Sequence, residues 1–214
     1  MKPYYQDAAV TIYHGDCREI LPGLEFDVMV TDPPYGISHS SGSTGPATWA
    51  HSTIQGDSDT VVRDWAIEAM GDKPCAVFGT WKMPRPRSTR GVLIWDKGPG
   101  GGGLGDLAFP WKLSFEEIYI LGQGWKGHRG EGVLKGMTIV SWESHGRTHP
   151  HEKPVTLLKH LIGKAPAGVI VDPFMGSGTT LRAAKDLGRK AIGIEIEERY
   201  CEIAARRMRQ EVLF

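Results

Sequence analysis

The chain is 214 residues long, and at roughly 100 to 200 residues per domain this length predicts a single domain. Its 25 basic and 25 acidic residues balance to a formal net charge of zero, which excludes a polybasic protein that binds nucleic acid through its overall charge. With 40% hydrophobic residues the chain is too apolar for a disordered protein. Three scattered cysteines exclude a disulfide framework, and no apolar run is long enough for a membrane span, so we expect a soluble cytoplasmic protein.

Short apolar segments rich in β-branched and aromatic residues recur along the chain and predict seven strands. In chain order they are 9–14, 26–31, 75–80, 91–95, 116–122, 168–172 and 191–196. Several are almost continuously apolar, which is typical of strands that are covered on both faces in a parallel sheet. The sequence therefore predicts an α/β fold with a seven-stranded, mostly parallel sheet.

Three helices are predicted in the last third of the chain. Residues 155–164 follow a proline, residues 179–187 lie between a Gly-Ser-Gly turn and a glycine, and residues 197–210 begin with acids and end with arginines, as the helix dipole favours. The glycine-rich run 98–105 joins two strands without a helix and so predicts the tip of an antiparallel hairpin. It is either an ordinary surface loop or a loop that orders on a substrate.

The string Asp32-Pro33-Pro34-Tyr35 directly follows a predicted strand. Carboxyl ends of strands are where open α/β sheets bind ligands. The two prolines stiffen the backbone and remove two N–H donors, so carbonyl oxygens face the site without competing donors. A carboxylate, a carbonyl and an aromatic ring together suit an amino group on a planar base. The alternative is a proline-rich turn without a function, but such a string directly after a strand is rare by chance.

The segment from Asp172 to Thr180 is again a strand that runs into a glycine-rich turn and a helix. Glycines let the backbone approach a ligand, and Glu195 follows at the end of the next strand, the spacing at which nucleotide-binding units hold ribose hydroxyls. Position 181 is leucine where a dinucleotide site would need a third glycine. The turn therefore favours an adenosine ligand without phosphates.

The strings TDPPYG, HPHEKPV, VDPFMGSGTT and GRKAIGIEIEERY together resemble the S-adenosylmethionine-dependent DNA amino-methyltransferases, which methylate adenine-N6 or cytosine-N4. The resemblance implies a Rossmann-like methyltransferase fold with an antiparallel hairpin strand in the C-terminal half. Because the catalytic string precedes the cofactor string, it implies the circularly permuted β class. It divides the single domain 1–214 into a catalytic half (1–122), a short target-recognition insert (123–148) and a cofactor-binding half (149–214).

The resemblance also implies the role of individual residues. Those of the catalytic string, Asp32, Pro33, Pro34 and Tyr35, are expected to be catalytic. The S-adenosylmethionine site is expected to comprise Asp16, Cys17, Lys153, Pro154, Asp172, Pro173, Phe174, Gly176, Ser177, Gly178, Thr179, Thr180, Glu195 and Ile196. Without the resemblance, Asp16 is better explained as a helix cap.

Two basic stretches are candidates for contact with DNA phosphates, and the alternative for each is an ordinary solvated surface. The expected DNA-binding residues are Lys82, Arg85, Arg87, Arg90, Lys126, Arg129 and Arg147. Residues 36–56 are rich in Ser, Thr and Gly and predict a mobile loop over the catalytic site. The histidines at 145, 149 and 151 are explained by the family pattern, so no metal site is expected.

The sequence thus predicts a site-specific DNA methyltransferase that transfers a methyl group from S-adenosylmethionine to adenine-N6 of a flipped base. It would act alone or with a restriction enzyme, in a prokaryotic or phage-infected cell. Aspartate at the head of the catalytic string favours adenine in this family. The alternatives are a cytosine-N4 enzyme, an RNA or protein amino-methyltransferase, and a catalytically silent DNA-binding relative. The expected partner is double-stranded DNA; a homodimer stays open, and no membrane contact is expected.

Overall fold

The structure, a computed structural model, describes residues 2–37, 59–98, 108–137 and 152–210. Within these ranges nine strands form one sheet in the order β1-β2-β9-β8-β3-β4-β6-β5-β7. The strands are β1 (Tyr5–Gln6), β2 (Val10–His14), β3 (Val28–Thr31), β4 (Cys75–Gly79), β5 (Gly91–Asp96), β6 (Phe115–Leu121), β7 (Val133–Leu134), β8 (Ile170–Asp172) and β9 (Ala191–Glu195). The helices are α1 (Cys17–Ile20), followed by a 3-10 turn (Leu21–Gly23), α2 (Val61–Ala69), α3 (Val155–Lys164), α4 (Thr179–Asp186) and α5 (Glu198–Arg209).

All seven predicted strands are present, as β2 to β6, β8 and β9. The prediction missed β1 and β7, which have two residues each and are too short for any periodicity to show. The three predicted helices correspond to α3, α4 and α5 with bounds that agree to within a residue. The Rossmann-like α/β fold predicted from the sequence is therefore confirmed.

Most of the strand pairs are parallel, and β6 is the exception in the middle of the sheet. It runs antiparallel to both β4 and β5, which confirms the hairpin and the antiparallel strand in the C-terminal half. The tip of that hairpin, residues 99–107, lies outside the described residues. Because β2, β9, β8, β3, β4 and β5 run in one direction, their carboxyl ends share one edge of the sheet with the start of β6. We call this the carboxyl edge.

Both faces of the sheet are covered, as the continuous apolar strands predicted. Val28 and Val30 of β3 pack with helices α3 to α5, whereas Met29 between them packs with α1 and α2. All three are fully buried, and each such side chain contributes roughly 1.5 to 3 kcal/mol. The hydrophobic effect thus fixes the register of β3 and with it the position of the residues that follow the strand.

The order of the strands creates a switch point between β3 and β8. These two strands are neighbours, but β3 continues through α2 to β4 on one side and β8 continues through α4 to β9 on the other. The crossovers diverge there and leave a crevice at the carboxyl edge, which is where open α/β sheets bind their ligands. The catalytic and cofactor strings predicted from the sequence both begin at this crevice.

Candidate active site

The predicted catalytic string lies at the end of β3, at the switch point. The hydroxyl of Tyr35 lies 2.8 Å from Oδ1 of Asp32 and 3.0 Å from Oε2 of Glu116. A hydroxyl carries one proton, so Tyr35 donates to one of these carboxylates at a time. Pro33 and Pro34 between them have no N–H group. The turn thus presents a carboxylate and carbonyl oxygens at the edge of the sheet.

A buried ammonium group lies between the two carboxylates. Nζ of Lys153 is 2.5 Å from Oδ2 of Asp32 and 3.3 Å from Oε2 of Glu116, and its side chain is only 7% exposed. Lys97, at the end of β5, forms an ion pair with the other oxygen of Glu116. The four side chains alternate in charge in the order Lys97, Glu116, Lys153, Asp32. We call them the charge row.

The pKa shifts within the charge row follow from burial and from these ion pairs. Burial raises the pKa of Asp32, and Lys153 opposes that shift. Burial alone would raise the pKa of Glu116, but Lys153 and Lys97 outweigh it and lower the pKa to about 2. Burial disfavours the charged form of Lys153, yet the two carboxylates raise its pKa above the usual value. Burial and the two carboxylates raise the pKa of Tyr35 well above its usual value.

Two members of the charge row, Glu116 and Lys97, were not predicted from the sequence as site residues. Glu116 and Lys97 fall in no motif used for the prediction, and both lie on the hairpin, far along the chain from Asp32. Their positions give a weak signal in the sequence. Lys97 follows one predicted hairpin strand and Glu116 begins the next, so each is a charged residue that borders an apolar run. Lys153 was expected to contact the cofactor, and the structure places its ammonium group against Asp32.

The second predicted string forms the turn between β8 and α4. Asp172 is 2% exposed, and its Oδ1 accepts hydrogen bonds from Oγ1 of Thr31 at 2.6 Å and from the N–H of Phe174 at 3.1 Å. Burial raises the pKa of Asp172 to about 6, although the hydrogen bonds from Thr31 and Thr180 oppose the shift. This carboxyl therefore joins the cofactor strand to the catalytic strand beside it.

Two glycines shape the turn in different ways. Gly178 has φ +80°, and a Cβ there would come within 2.8 Å of Cβ of Ala204, so a side chain would push α5 away. Gly176 has φ +50°, and a Cβ there would meet no atom within 4 Å. The turn is thus packed against α5 at one glycine and open at the other. Backbone left open in this way can be approached closely by a ligand.

Glu195 closes the other side of the turn from the end of β9. Its Oε2 accepts the N–H of Gly176 at 2.9 Å, and its Oε1 accepts the N–H of Glu197 at 2.8 Å. Burial raises its pKa. Because each carboxylate oxygen has two lone-pair directions, Glu195 retains acceptor capacity for a further donor such as a ribose hydroxyl.

Arg207 of α5 ties the turn to the segment before α3. One of its nitrogens, Nη1, lies 2.9 Å from Oγ1 of Thr179 and 3.2 Å from the carbonyl oxygen of Ser177. The other, Nη2, forms an ion pair with Glu152. Arg207 was predicted only as part of the basic end of a helix. One guanidinium group thus connects the turn with Glu152, the residue before Lys153.

Three further residues expected near the cofactor lie around the ends of β2 and β9, whereas Pro154 is the N-cap of α3. Asp16 is the N-cap of α1, where Oδ1 accepts the N–H of Arg18 at 2.8 Å, so its role as a helix cap is present in the structure. Cys17 is buried, which raises its pKa to about 11. Ile196 is exposed, and its carbonyl oxygen lies 3.1 Å from Nε2 of His14.

The residues expected to bind DNA do not form one surface. Arg85 pairs with the buried carboxylate of Glu117 at 2.5 Å, and Arg90 donates to the carbonyl oxygen of Gly122 at the edge opposite the carboxyl edge. Lys82 and Arg87 are exposed, as are Lys126 and Arg129. Arg147 and the loop 36–56 beyond residue 37 lie outside the described residues, as do the histidines at 145, 149 and 151.

Comparison with known proteins decides the family. The type II methyltransferase M2.DpnII of Streptococcus pneumoniae is 39% identical over 261 aligned positions, which cover 98% of this chain and 93% of the relative. M2.LlaDCHI of Lactococcus lactis subsp. cremoris is 38% identical, with 97% and 92% coverage. A family model described as DNA methylase, of the N6/N4 type, matches residues 104–206. This chain belongs to the N6/N4 DNA methyltransferase family.

Solved structures of DNA methyltransferases have the same fold. The crystal structure of M1.HpyAVI in complex with SAM has a TM-score of 0.67 at 21% identity and covers 94% of this chain and 100% of that one. The cytosine-N4-specific PvuII DNA methyltransferase has a TM-score of 0.68 at 16% identity, with 100% and 91% coverage. The predicted recognition as a DNA amino-methyltransferase is therefore confirmed, and S-adenosylmethionine is the cofactor of the family.

The residues at the switch point fit this cofactor. The open backbone at Gly176, the buried carboxyl of Asp172 and the spare acceptor capacity of Glu195 suit a nucleoside with an amino-acid end and no phosphates. Among the described residues no group of three or more His, Cys, Asp or Glu is arranged to hold a metal ion. In the same part of the chain no helix is long and apolar enough to cross a membrane.

Proposed function

We propose that this N6/N4 DNA methyltransferase methylates the N6 amino group of adenine in double-stranded DNA. The observation that carries the proposal is Asp32 at the head of the catalytic string, held by Lys153 and Tyr35 at the switch point. In this family aspartate at that position favours adenine, whereas serine favours cytosine-N4. The intact catalytic and cofactor strings, Asp32–Tyr35 and Asp172–Thr180, argue against a catalytically silent relative.

The proposed mechanism starts from the chemistry of the amino group. Its lone pair is delocalised into the ring of the base, so the nitrogen is a poor nucleophile. Asp32 and the carbonyl oxygen of Pro33 would accept hydrogen bonds from its two N–H groups and favour a tetrahedral nitrogen. Once the nitrogen carries the methyl group, one of these protons would leave through Asp32 to solvent. Two of the roughly four lone-pair directions of the Asp32 carboxylate are used by Lys153 and Tyr35, so acceptor capacity remains for the substrate.

The residues of the crevice would then align the reactants. S-adenosylmethionine supplies an electrophilic methyl group when it is bound. We assign the cofactor pocket to Asp172, the turn at Gly176 and Glu195, next to the catalytic string across the β3–β8 boundary. Alignment in one crevice makes the transfer effectively intramolecular, and this supplies much of the acceleration without a covalent intermediate. An amino group inside a duplex cannot reach this crevice, so the base would be flipped out and stacked on Tyr35.

We assign sequence recognition to residues 123–148, the segment between the catalytic and cofactor halves. The segment is short. Lys126 and Arg129 are exposed in this segment and are its candidates for phosphate contacts. A homodimer, and the pairing with a restriction enzyme, stay predictions.

Cytosine-N4 is the second candidate for the target, because the PvuII enzyme with the same fold is cytosine-N4-specific. Mass spectrometry of nucleosides from the DNA of expressing cells decides between the two. We expect N6-methyladenine above the level in cells that express the Asp32→Ala variant. N4-methylcytosine in its place would overturn the adenine assignment, and single-molecule sequencing of the same DNA would give the recognition site.

A further inference from the structure

The charge row contains one carboxylate, that of Glu116, whose role the proposed function leaves open. Glu116 lies on β6, the antiparallel strand of the hairpin, and its side chain is 15% exposed. It contacts three members of the site: Lys153, the hydroxyl of Tyr35, and Lys97. Glu116 does not contact Asp32 directly. Lys153 and the hydroxyl of Tyr35 each contact both carboxylates.

We propose that Glu116 is a positioning residue for methyl transfer, which holds Lys153 and the Tyr35 hydroxyl so that the Asp32 carboxylate keeps a free face for the target amino group. The inference rests on the proposed function and deepens it, because it concerns the same site. Lys97 is the counter-ion of Glu116 and stabilises its ionised form. Strand β6 of the hairpin thereby contributes to the catalytic site through Lys153 and Tyr35.

The geometry shows how Glu116 acts through its partners. The ammonium of Lys153 is shared between the two carboxylates, at 2.5 Å from Asp32 and 3.3 Å from Glu116. Without Glu116, a further N–H of Lys153 would be free to bond Asp32, and the proton of Tyr35, which the two carboxylates now share, would bond Asp32 alone. Both would then occupy lone-pair directions that the substrate amino group needs. Glu116 draws these donors to one side of Asp32.

Stability alone does not account for the charge row. Bringing ionised groups out of water costs several kcal/mol per ion, and replacing a buried ion pair by packed apolar side chains is often neutral or stabilising. The row is nevertheless present at the carboxyl edge, against the rings of Phe78 and Tyr35, with Nζ of Lys153 at 5.1 Å and 5.6 Å from their centroids. A role in catalysis therefore explains the charge row at the carboxyl edge better than a contribution to the stability of the fold does.

The adjacent residue provides a matched control. Glu117 lies on the same strand and is also a buried, ion-paired carboxylate, but its partners are Arg85 and the hydroxyl of Tyr119. Successive side chains of a strand point to opposite faces of the sheet. Glu117 therefore lies on the face covered by α1 and α2, away from Asp32, and its loss affects stability without reaching the charge row.

The test compares full-length wild type with Glu116→Gln, Glu116→Asp and Glu117→Gln. The assay measures kcat as the transfer of a labelled methyl group to unmethylated genomic DNA at a saturating concentration of S-adenosylmethionine. Calorimetry measures the Kd of the cofactor. For Glu116→Gln we expect kcat to fall about ten- to a hundred-fold, as loss of alignment does, with a cofactor Kd within about three-fold of wild type. Glu116→Asp retains the charge and should recover at least a third of the lost activity on a logarithmic scale. Glu117→Gln should keep kcat within about three-fold.

Each contrary result has a distinct meaning. If Glu116→Gln binds the cofactor and retains kcat within about three-fold, Glu116 has no positioning role. If Glu116→Gln and Glu117→Gln lose kcat equally and in step with their thermal stability, the role is structural only, and the inference is overturned. If wild type binds the cofactor but transfers no label to DNA, the proposed function itself fails, and the inference fails with it.

Discussion

Oγ1 of Thr31 donates a hydrogen bond to Oδ1 of Asp172 at 2.6 Å, although 141 residues separate them in the chain. Thr31 is the last residue of β3, and Asp172 is the last residue of β8. Both side chains are buried. The hydrogen bond therefore joins the end of the catalytic strand to the start of the cofactor turn, so a change in the protonation of Asp172 is felt by both halves of the site.

The raised pKa of Asp172 predicts a specific dependence of stability on pH. Burial raises the pKa to about 6 from 3.8, so the folded state binds this proton more tightly than the unfolded state. The resulting stabilisation is complete below about pH 4 and is lost as the pH rises through about 6. A shift of about two pKa units corresponds to at most about 3 kcal/mol.

The Asp172→Asn variant isolates this effect, because it cannot ionise but retains an acceptor for Thr31. Urea unfolding of both proteins from pH 4 to pH 8 gives their difference in the free energy of unfolding. We expect wild type to lose stability relative to Asp172→Asn across this range. Other carboxyl groups titrate in both proteins and cancel in the difference. A difference that is constant with pH would show that Asp172 ionises at its ordinary pKa.

Asp32→Ala is expected to reduce methyl transfer to less than a tenth of the wild-type rate. Asp32 is assigned to the target amino group, so the affinity for S-adenosylmethionine should stay within a few fold. Labelled methyl transfer and calorimetry measure the two quantities. Asp32→Asn, which retains one acceptor oxygen in nearly the same shape, should lie between alanine and wild type. Transfer at more than a tenth of the wild-type rate in the alanine variant would remove Asp32 from the catalytic role.

Glu195→Ala is expected to weaken the binding of S-adenosylmethionine by at least about ten-fold. Charge-assisted hydrogen bonds to two ribose hydroxyls would each contribute about 1.5 to 3 kcal/mol at most, and the variant also frees the N–H of Gly176 in the turn. Glu202→Ala serves as a control, because Glu202 is an exposed side chain of α5 that pairs with Arg206. Equal cofactor Kd values for the two variants would show that the ribose is held elsewhere.

Lys82 and Arg87 are expected to contact phosphates, since both are exposed cations of the loop after β4. Replacing both with alanine should weaken binding to all DNA sequences about equally and reduce the salt slope by roughly two units. Base preference should be unchanged. Binding titrations at several salt concentrations measure the slope, and a slope equal to that of wild type would make the loop an ordinary solvated surface.

Arg85→Ala provides the comparison within the same loop. Arg85 is paired with the buried carboxylate of Glu117, so its loss leaves that charge uncompensated and should lower the thermal stability. Its effect on the salt slope should be smaller than that of Lys82 or Arg87 singly. A full unit of lost slope would show that Arg85 leaves Glu117 when DNA binds.

The order of the elements and the two strings at the switch point could be predicted from the amino-acid sequence alone. Apolar runs covered on both faces predicted seven strands, because burial on both faces requires uninterrupted apolar residues. The strings from Asp32 to Tyr35 and from Asp172 to Thr180 each follow a strand, and parallel strands bring such positions to one edge. These features depend on residues close together in the chain, which is why periodicity and motifs show them.

The sequence could not predict which distant side chains complete the site or which cations are already paired; the three-dimensional arrangement was needed for both. Glu116 and Lys97 lie near the catalytic string because β6 runs antiparallel to β4 and β5. The end of β5 and the start of β6 therefore both lie at the carboxyl edge. Arg85 and Arg90 look equivalent in the sequence, yet one pairs with Glu117 and the other lies at the opposite edge. Electrostatic contacts depend on the distance between charges in space, and the order of residues in one chain does not contain that distance.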